Sequence, residues 1–393
     1  MSERSLLMIP GPTLFEPSVL RELSVTTLSH TSKEFIQIFN ETLKNLRKIV
    51  FVDENYKTVI LAGSGTLAME TSTTNFIKSG DKILVVSNGY FGDRMIELLS
   101  RYPVKVDILK VNEPGSRVET EKILEKLDEE KYSLITVTHV DTSTGVKQEL
   151  KSLGEEVKKH HDETLLVVDG VCSVAGEELY MKDWGIDVLF TGSQKALGVP
   201  PGLAMIWLSP KALEKLKETK STLTPYYMDL NRWIKVMEAH EELKPAYFAT
   251  PAVNLIMALN KSLKLILEEG MDKRFRRHKT LSKAFRAGIR GIGLNVMAKN
   301  EDYAASTVTA IHLPQNIEVQ QFLAEMQKRN IIVAGGLYPN IKYFRVGHMG
   351  PVNANDILAT IGAIERSLHK LGTPIELGKG LTEAQKILTK EDM

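Results

Sequence analysis

The sequence has almost no cysteine. Cys172 is the single thiol among 393 residues, which excludes an intramolecular disulfide and any zinc or iron–sulfur site built from several cysteines. We therefore expect no metal site. Because disulfide-stabilised chains are typical of oxidising compartments, the composition also favours a cytoplasmic protein.

The sequence also lacks a charge bias and a long apolar run. Lys and Arg number 50 against 49 Asp and Glu, a formal net charge of +1, so no global field would attract nucleic acid or anionic lipid. No window is apolar over the length that a membrane span requires. The amino-terminal MSERSLLMIPGPT contains no signal-peptide core and is expected to be part of the fold. These absences leave a small molecule as the expected partner, with neither nucleic acid nor membrane.

Short apolar runs alternate with segments of helical period through the first half of the chain. The runs are KTVILAG, DKILVVSNG, YSLITVTHV, TLLVVDGV and DVLFTGS. Runs that stay apolar without interruption are typical of strands buried on both faces. The alternation predicts an α/β fold with a mostly parallel central sheet covered by helices.

The pattern changes near residue 252, where a long helical stretch begins. Strands are predicted around STVTAIHLP, NIIVAGG and IKYFRVG, with a helix around IEVQQFLAEMQKR and another from Asn353 to about His369. The length exceeds that of one hydrophobic core. We predict a large domain over 16–262 and a smaller α+β domain over 263–393 that includes 1–15. The charged tail after Thr373 is expected to be loosely held.

The first candidate site follows a predicted strand, in the segment LAGSGTLAME. Ser64, Gly65 and Thr66 would present backbone N–H groups and hydroxyls at a helix amino terminus, where phosphate is favoured. The alternative is an ordinary strand-to-helix turn with a serine or threonine cap.

The second candidate is Asp169, at the end of the run LLVVD. Ligands of open α/β sheets bind outside the carboxyl ends of the strands, and an aspartate there could pair with a pyridinium N–H. A helix cap or a loop-fixing hydrogen bond is the alternative. The nearby Cys172 is interpreted as a packing residue, since nothing in the sequence predicts a lowered thiol pKa.

The third candidate is Lys195, in the segment TGSQKALGVPPG. A lysine placed after a buried strand and among small residues can lose its proton and form an imine. The alternative is a solvated loop lysine.

This third segment resembles the cofactor-lysine signature of class V aminotransferases, which are fold type I pyridoxal 5′-phosphate (PLP) enzymes, and in particular the alanine–glyoxylate and serine–pyruvate group. Further matching segments follow in the same order: PGPT, SHTSKEF, GSGT, NGYFGDR, THVDTSTG, VDGV, YFATP and FRVGHMG. The resemblance extends over nearly the whole chain. It implies a homodimeric transaminase that uses PLP and moves an amino group from a small amino acid, serine or alanine, to a small 2-oxo acid, pyruvate or glyoxylate, by a ping-pong mechanism.

The resemblance also implies roles for residues at the matched positions. Lys195 would hold the cofactor as a Schiff base and move the substrate proton, and Asp169 would face the pyridine nitrogen. Arg345 would bind the substrate carboxylate as a two-pronged ion pair, and the backbone near Gly11 would help to enclose it. The remaining implied cofactor contacts are Ser64, Gly65, Thr66 and Gln194 at the phosphate, Tyr247 and Thr250 at the phosphate of the partner subunit's cofactor, Thr142 near the ring hydroxyl, and Val171 and Phe91 against the ring.

The sequence departs from its relatives at two of these positions. Phe91 stands where many of these aminotransferases stack a tryptophan on the cofactor ring, and Thr66 stands where some have histidine. Neither change removes a catalytic group, but both affect the expected substrate preference.

Three other functions of the same fold are considered. A cysteine desulfurase needs an accessible catalytic thiolate on a loop near the carboxyl-terminal domain, and the one cysteine follows the Asp169 strand instead. A phosphonate transaminase and a non-catalytic subunit that retains the fold stay open as alternatives. The amino donor and acceptor are likewise open, because discrimination of one methylene depends on pocket shape.

Overall fold

The structure is a computed structural model that describes residues 5–391. Its strands are β1 (Leu6–Leu7), β2 (Lys57–Gly63), β3 (Lys82–Ser87), β4 (Lys105–Lys110), β5 (Leu134–Thr138), β6 (Val140–Asp141), β7 (Val146–Lys147), β8 (Leu165–Asp169), β9 (Val188–Gly192), β10 (Gly202–Leu208), β11 (Val308–His312), β12 (Ile331–Ile332), β13 (Ala334–Gly335) and β14 (Tyr343–Gly347). Its α-helices are α1 (Pro17–Arg21), α2 (Lys33–Ile49), α3 (Gly65–Thr74), α4 (Tyr90–Leu99), α5 (Thr120–Glu129), α6 (Lys151–His160), α7 (Pro210–Thr219), α8 (Leu230–Glu241), α9 (Val253–Glu269), α10 (Met271–Gly291), α11 (Val319–Gln327), α12 (Ala354–Lys370) and α13 (Lys379–Lys390).

The central sheet has the strand order β2-β10-β9-β8-β5-β3-β4. Only β10 runs antiparallel to its neighbours, so the carboxyl ends of all the other strands lie at one edge. Every residue of β5, β8 and β9 is buried, as continuous apolar runs predict for strands covered on both faces. The predicted α/β fold with a mostly parallel sheet is confirmed.

A second, antiparallel sheet has the order β11-β14-β13. Helices α10, α11 and α12 pack with it around Phe285, Phe322 and Phe344, which are fully buried. Met8 of the amino-terminal segment belongs to the same cluster, since β1 pairs with β12. A separate and larger cluster surrounds the central sheet. The described chain therefore has two main apolar cores.

Three features of the fold differ from the sequence expectation. The helical stretch after residue 252 is divided into α9 and α10 at Gly270, whose φ of +84° favours glycine. The antiparallel strand β10 is not expected from the sequence pattern. The expectation of a loose tail after Thr373 is wrong, because α13 buries Ala384 and Leu388 in the smaller core.

Candidate active site

The parallel strands bring the three candidate segments to one edge of the central sheet. Ser64 directly follows β2, Asp169 is the last residue of β8, and Lys195 lies in the loop after β9. Within the sheet, Asp169 is in register with Thr138 of β5 and Phe190 of β9. Strand direction therefore explains why residues far apart in sequence meet here.

Helix α3 directs its amino terminus into this edge. Ser64 is the N-cap residue, with extended backbone, but within the described chain its side chain caps no N–H group of the helix. A Cβ on Gly65 would lie 3.1 Å from Cγ2 of Val171, so this glycine permits close packing of the two segments. Unlike an ordinary serine cap, the hydroxyl of Ser64 stays available, at the helix end that favours an anion.

Asp169 is a buried carboxylate with a raised pKa. It is 5% exposed, and Oδ1 accepts a hydrogen bond from the backbone N–H of Val171 at 2.9 Å. Burial raises the pKa of Asp169 to about 7, and the nearby Asp141 acts in the same direction. No cation of the described residues forms an ion pair with it. A ligand that offers a positively charged N–H group would supply the missing partner.

Lys195 is buried against the amino-terminal segment. Its Nζ donates to the carbonyl oxygen of Pro10 at 2.5 Å, and burial lowers the pKa of its ammonium group. A Cβ on Gly11 would lie 2.8 Å from Cδ of Lys195. Lys195 is therefore not the solvated loop lysine that the sequence leaves as an alternative.

A cavity of about 370 Å³ joins these groups. The predicted site residues in its wall are Gly11, Ser64, Gly65, Thr66, Phe91, Thr142, Asp169, Val171, Gln194 and Lys195. Other wall residues, which the sequence does not single out for binding, are Pro12, Met69, Arg94, Val140, Cys172 and Pro201.

Asp141 fixes the aromatic wall of this cavity and is not identified from the sequence. Its buried carboxylate accepts hydrogen bonds from the backbone N–H groups of Phe91 and Ser143, both at 2.9 Å. It thereby holds the start of α4, which carries Phe91, beside the loop that carries Thr142. The position of Asp141 within the segment THVDTSTG is the signal that could have indicated it.

Arg94 contributes a guanidinium group to the cavity wall. It lies over the ring of Phe91 at 4.8 Å and within 3.4 Å of Oγ1 of Thr66. Its spacing of three residues from Phe91 places both on one face of α4. That spacing within NGYFGDR is the sequence signal for it.

Arg345 lies on β14 beside the cavity and is absent from its immediate wall. Nε donates to the carbonyl of Gly335 at 2.9 Å, and Nη1 donates to that of Thr142 at 3.2 Å. Among residues 5–391, no acceptor is bonded to Nη2. The two backbone contacts orient the guanidinium plane while one edge remains free for a carboxylate.

Tyr247 and Thr250 do not join this cavity within one chain. The side chain of Tyr247 is 65% exposed, and Thr250 is also exposed. Helix α9 begins at Val253 with Ala252 as its N-cap, so Thr250 is not the cap of this helix.

Cys172 is 1% exposed, and burial raises the pKa of its thiol. Its Sγ lies 3.5 Å from Oγ1 of Thr307. A buried thiol with a raised pKa is a poor nucleophile, which agrees with the interpretation of Cys172 as a packing residue.

The fold and site together define a PLP-dependent aminotransferase with a fold type I architecture. The chain belongs to the aminotransferase class-V family, whose model matches residues 19–347. It is 39% identical to an uncharacterised aminotransferase of Methanocaldococcus jannaschii over 99% of this chain and 98% of that protein. It is also 39% identical to alanine–glyoxylate aminotransferase 1 of Saccharomyces cerevisiae, over 89% of this chain and 93% of the yeast protein.

A solved relative supports the same assignment. The crystal structure of pyridoxamine–pyruvate aminotransferase from Mesorhizobium loti superposes with a TM-score of 0.92 at 26% identity, over 99% of this chain and 98% of that one. Within residues 5–391, no helix has the length and apolar character to cross a membrane.

The cavity also fits the cofactor of this family chemically. Gln194 Oε1 is buried without a hydrogen-bond partner in the described chain, and the second carboxylate oxygen of Asp169 likewise receives no hydrogen bond there. Buried polar atoms of this kind are normally satisfied. A pyridinium N–H group would supply the donor that the second carboxylate oxygen of Asp169 lacks, and the side-chain N–H groups of Gln194 can donate to a phosphate.

Proposed function

We propose that this aminotransferase transfers the amino group of alanine or serine to glyoxylate or pyruvate by a ping-pong mechanism. The observation that carries the proposal is the juxtaposition of buried Lys195 and Asp169 in one cavity, beside the partly free guanidinium group of Arg345. The names of relatives support the substrate class: alanine–glyoxylate aminotransferase in yeast and serine–glyoxylate aminotransferase in Arabidopsis thaliana.

In this proposal the predicted cofactor-binding residues of the cavity wall have defined tasks. Ser64, Gly65, Thr66 and Gln194 bind the phosphate through N–H, hydroxyl and amide groups at the start of α3. Asp169 keeps the pyridine nitrogen protonated, and Thr142 lies near the ring hydroxyl. Phe91 and Val171 hold the two faces of the ring. When bound, PLP supplies an electron sink for the substrate carbanion.

The catalytic tasks toward the substrate belong to two residues. The free guanidinium edge of Arg345 binds the α-carboxylate, with the backbone near Gly11 enclosing it. This contact fixes the orientation of the substrate Cα. Burial lowers the pKa of Lys195, which favours release of its proton, and in this proposal its amine accepts the Cα proton and later returns it. Exclusion of water from the cavity lowers the local dielectric constant and so strengthens the ion pair between Arg345 and the α-carboxylate.

The choice of amino donor is tested by half-reactions. Purified enzyme with bound cofactor is mixed separately with alanine, serine and aspartate, and the change in cofactor absorbance is followed over time. Rapid conversion by alanine or serine supports the proposal. Aspartate is the informative comparison, because Arg94 offers a second cation to its side-chain carboxylate. Conversion by aspartate alone would contradict the proposed donors.

We also propose that two copies of this chain form a homodimer with composite active sites. Tyr247 and Thr250, exposed within one chain, would then contact the phosphate of the partner subunit's cofactor.

The domain division and the cellular location are proposals as well. We propose a large domain over 16–262 and a small domain formed by 263–393 with 1–15, and the two separate apolar cores support a division into two domains. The single cysteine supports a cytoplasmic location.

A further inference from the structure

Three successive carbonyl oxygens of the loop that carries Lys195 each accept a hydrogen bond from a side chain of a different segment. The pairs are Thr13 Oγ1 with the carbonyl of Lys195 at 2.9 Å, Arg274 Nη2 with that of Ala196 at 2.6 Å, and Ser262 Oγ with that of Leu197. This loop follows the end of β9 and has no strand or helix to satisfy its backbone. The three donors therefore help to fix its conformation, together with the backbone hydrogen bonds from Gly198 to Lys195 and from Val199 to Ser193.

Arg274 makes the most extensive of these contacts. It lies on α10 and is 5% exposed, and its Nε also donates to the carbonyl of Ala175 at 2.8 Å. Ala175 belongs to the loop after Asp169 and has a φ of +62°, which is rare for a residue other than glycine. One guanidinium group thus joins the loop that carries Lys195 to the loop that follows Asp169.

Glu269 and Arg277 hold Arg274 in place. Glu269 accepts from Nη1 of Arg274 at 2.7 Å and from Nε of Arg277 at 2.6 Å. Arg277 in turn donates to the carbonyls of Val352 at 2.8 Å and Gly350 at 3.1 Å. These carbonyls lie a few residues after β14, which carries the proposed substrate-binding arginine. These partly buried ion pairs therefore connect the two segments that the reaction must align.

A purely structural role would not require charge at this position. Replacing a buried ion pair with apolar residues of similar volume is often neutral or stabilising, so the ion pairs are weak evidence for a role in stability. Their directional contacts with backbone carbonyls instead restrict where the Lys195 loop can lie.

We propose that Arg274 is a positioning residue for Lys195, fixed by Glu269 and Arg277. Arg274 is absent from the wall of the active-site cavity. It holds the backbone from which the Lys195 side chain extends, so that its amine reaches the substrate Cα in a reproducible orientation. The inference rests on the proposed role of Lys195 as the cofactor lysine.

A second cavity allows the proposal to be tested by chemical rescue of an Arg274 variant. It has a volume of about 410 Å³, and its wall includes Glu269, Arg274, Arg277 and Ser262. In an Arg274→Ala variant, a small guanidinium salt could enter from this cavity and donate to the same carbonyls. Such entry does not disturb the active-site cavity, whose wall includes none of these four residues.

The test uses the enzyme with bound cofactor. We expect Arg274→Ala to lower kcat by about tenfold or more, which corresponds to ~1.4 kcal/mol, about one hydrogen bond to a charged group. KM for the amino donor should change much less. The induced circular dichroism of the bound cofactor should weaken, because it depends on a fixed orientation. Millimolar methylguanidinium should restore part of both signals.

Arg286→Ala is the matched control. Arg286 lies on the same helix, is 3% exposed, and pairs with Glu301 and the carbonyl of Ala305, away from the Lys195 loop. The Arg286→Ala substitution should lower the thermal stability without changing the induced circular dichroism of the bound cofactor. If Arg274→Ala does not fold, Ser262→Ala removes one neutral hydrogen bond from the same loop and should weaken the same signal.

Two outcomes separate this inference from the proposed function. Borohydride reduction of the wild type followed by peptide mapping must place the cofactor label on Lys195, and a label elsewhere would overturn the site assignment itself. With the label on Lys195, normal kcat and normal circular dichroism in Arg274→Ala and Ser262→Ala would overturn only the positioning role.

Discussion

Nζ of Lys195 donates a hydrogen bond to the carbonyl oxygen of Pro10 at 2.5 Å. This contact makes the amino-terminal segment part of the active site, although it is far from Lys195 in sequence. The Pro10 carbonyl accepts a hydrogen bond from Nζ of Lys195 when this nitrogen has no other partner. The first two predictions concern this contact.

Lys195→Ala should abolish turnover while the protein keeps its fold, because the variant loses the amine that we propose forms the imine and moves the proton. The expected loss of kcat is several orders of magnitude. Steady-state rates and far-ultraviolet circular dichroism measure the two effects. Residual turnover near the wild-type level would show that another group moves the proton.

Gly11→Ala should impair the site by crowding the lysine. The added Cβ would lie 2.8 Å from Cδ of Lys195, at a φ of +138° that disfavours alanine. Overpacking of this kind costs roughly 1–3 kcal/mol, and where that cost falls on the placement of Lys195 in the transition state, we expect turnover to fall by about 5- to 150-fold.

Gly80→Ala is the control for this substitution. Gly80 has a φ of +89° and no heavy atom within 4 Å of the added Cβ, so it separates backbone strain from crowding. It should lower the thermal midpoint and leave kcat unchanged. Equal activities of the two variants would argue against the close approach at Gly11.

Much of the fold follows from the sequence because local pattern determines it. β5, β8 and β9 are continuous apolar runs, and Asp169 and Lys195 are indicated by their positions after such runs. Strand β10 is harder to predict because it follows Pro200 and Pro201, which are typical of a loop.

Other features depend on distant contacts. The tail after Thr373 has a charged composition, but its few apolar residues suffice for α13 once α10 and α12 provide a surface. The hydrogen bond from Arg274 to the carbonyl of Ala196 joins residues that are 78 positions apart in the sequence. No periodicity or motif indicates such a pair, so this part of the site is visible only in the structure.

Asp169 predicts a pH dependence of stability in the cofactor-free protein. Its pKa is raised from 3.8 to about 7 in the folded protein. Between these values the folded protein retains a proton that the unfolded chain releases, so the free energy of unfolding falls as pH rises through this window. Asp169→Asn should remove this effect, with a gain on the order of 1–4 kcal/mol at pH 8 and less at pH 5.

Thermal unfolding of both cofactor-free proteins across this pH range measures the difference. The substitution should also weaken cofactor binding, because asparagine cannot form the charged pair with the pyridine nitrogen. A wild-type protein and a variant with parallel stability curves would show that Asp169 is already ionised at pH 5.

Arg345→Lys should raise KM for the amino donor by roughly 30-fold, or ~2 kcal/mol, because a lysine cannot form the two-pronged contact. The lysine would also lose the orientation that the carbonyls of Gly335 and Thr142 give to the guanidinium plane. Cofactor affinity should change much less than KM. Steady-state kinetics and cofactor titration check the two effects. A large loss of cofactor affinity with little change in KM would indicate that Arg345 binds the cofactor and not the substrate.

The composite site proposed for the homodimer predicts complementation between two inactive variants. One variant is Lys195→Ala, and the other carries Tyr247→Phe together with Thr250→Ala. Loss of two hydrogen bonds to the phosphate, each worth roughly 1.5–3 kcal/mol, should weaken cofactor retention by more than about tenfold. At limiting cofactor each variant should therefore be nearly inactive alone.

Mixing under conditions of subunit exchange should restore activity, because a mixed dimer contains one site without any substitution. For statistical mixing about half of the dimers are mixed and each has one intact site, so recovery should approach about a quarter of the wild-type activity. Mass spectrometry of differently tagged subunits measures the exchange. Since Tyr247 and Thr250 lie outside the cavity of their own chain, complete exchange without recovered activity would show that they contribute to no cofactor site.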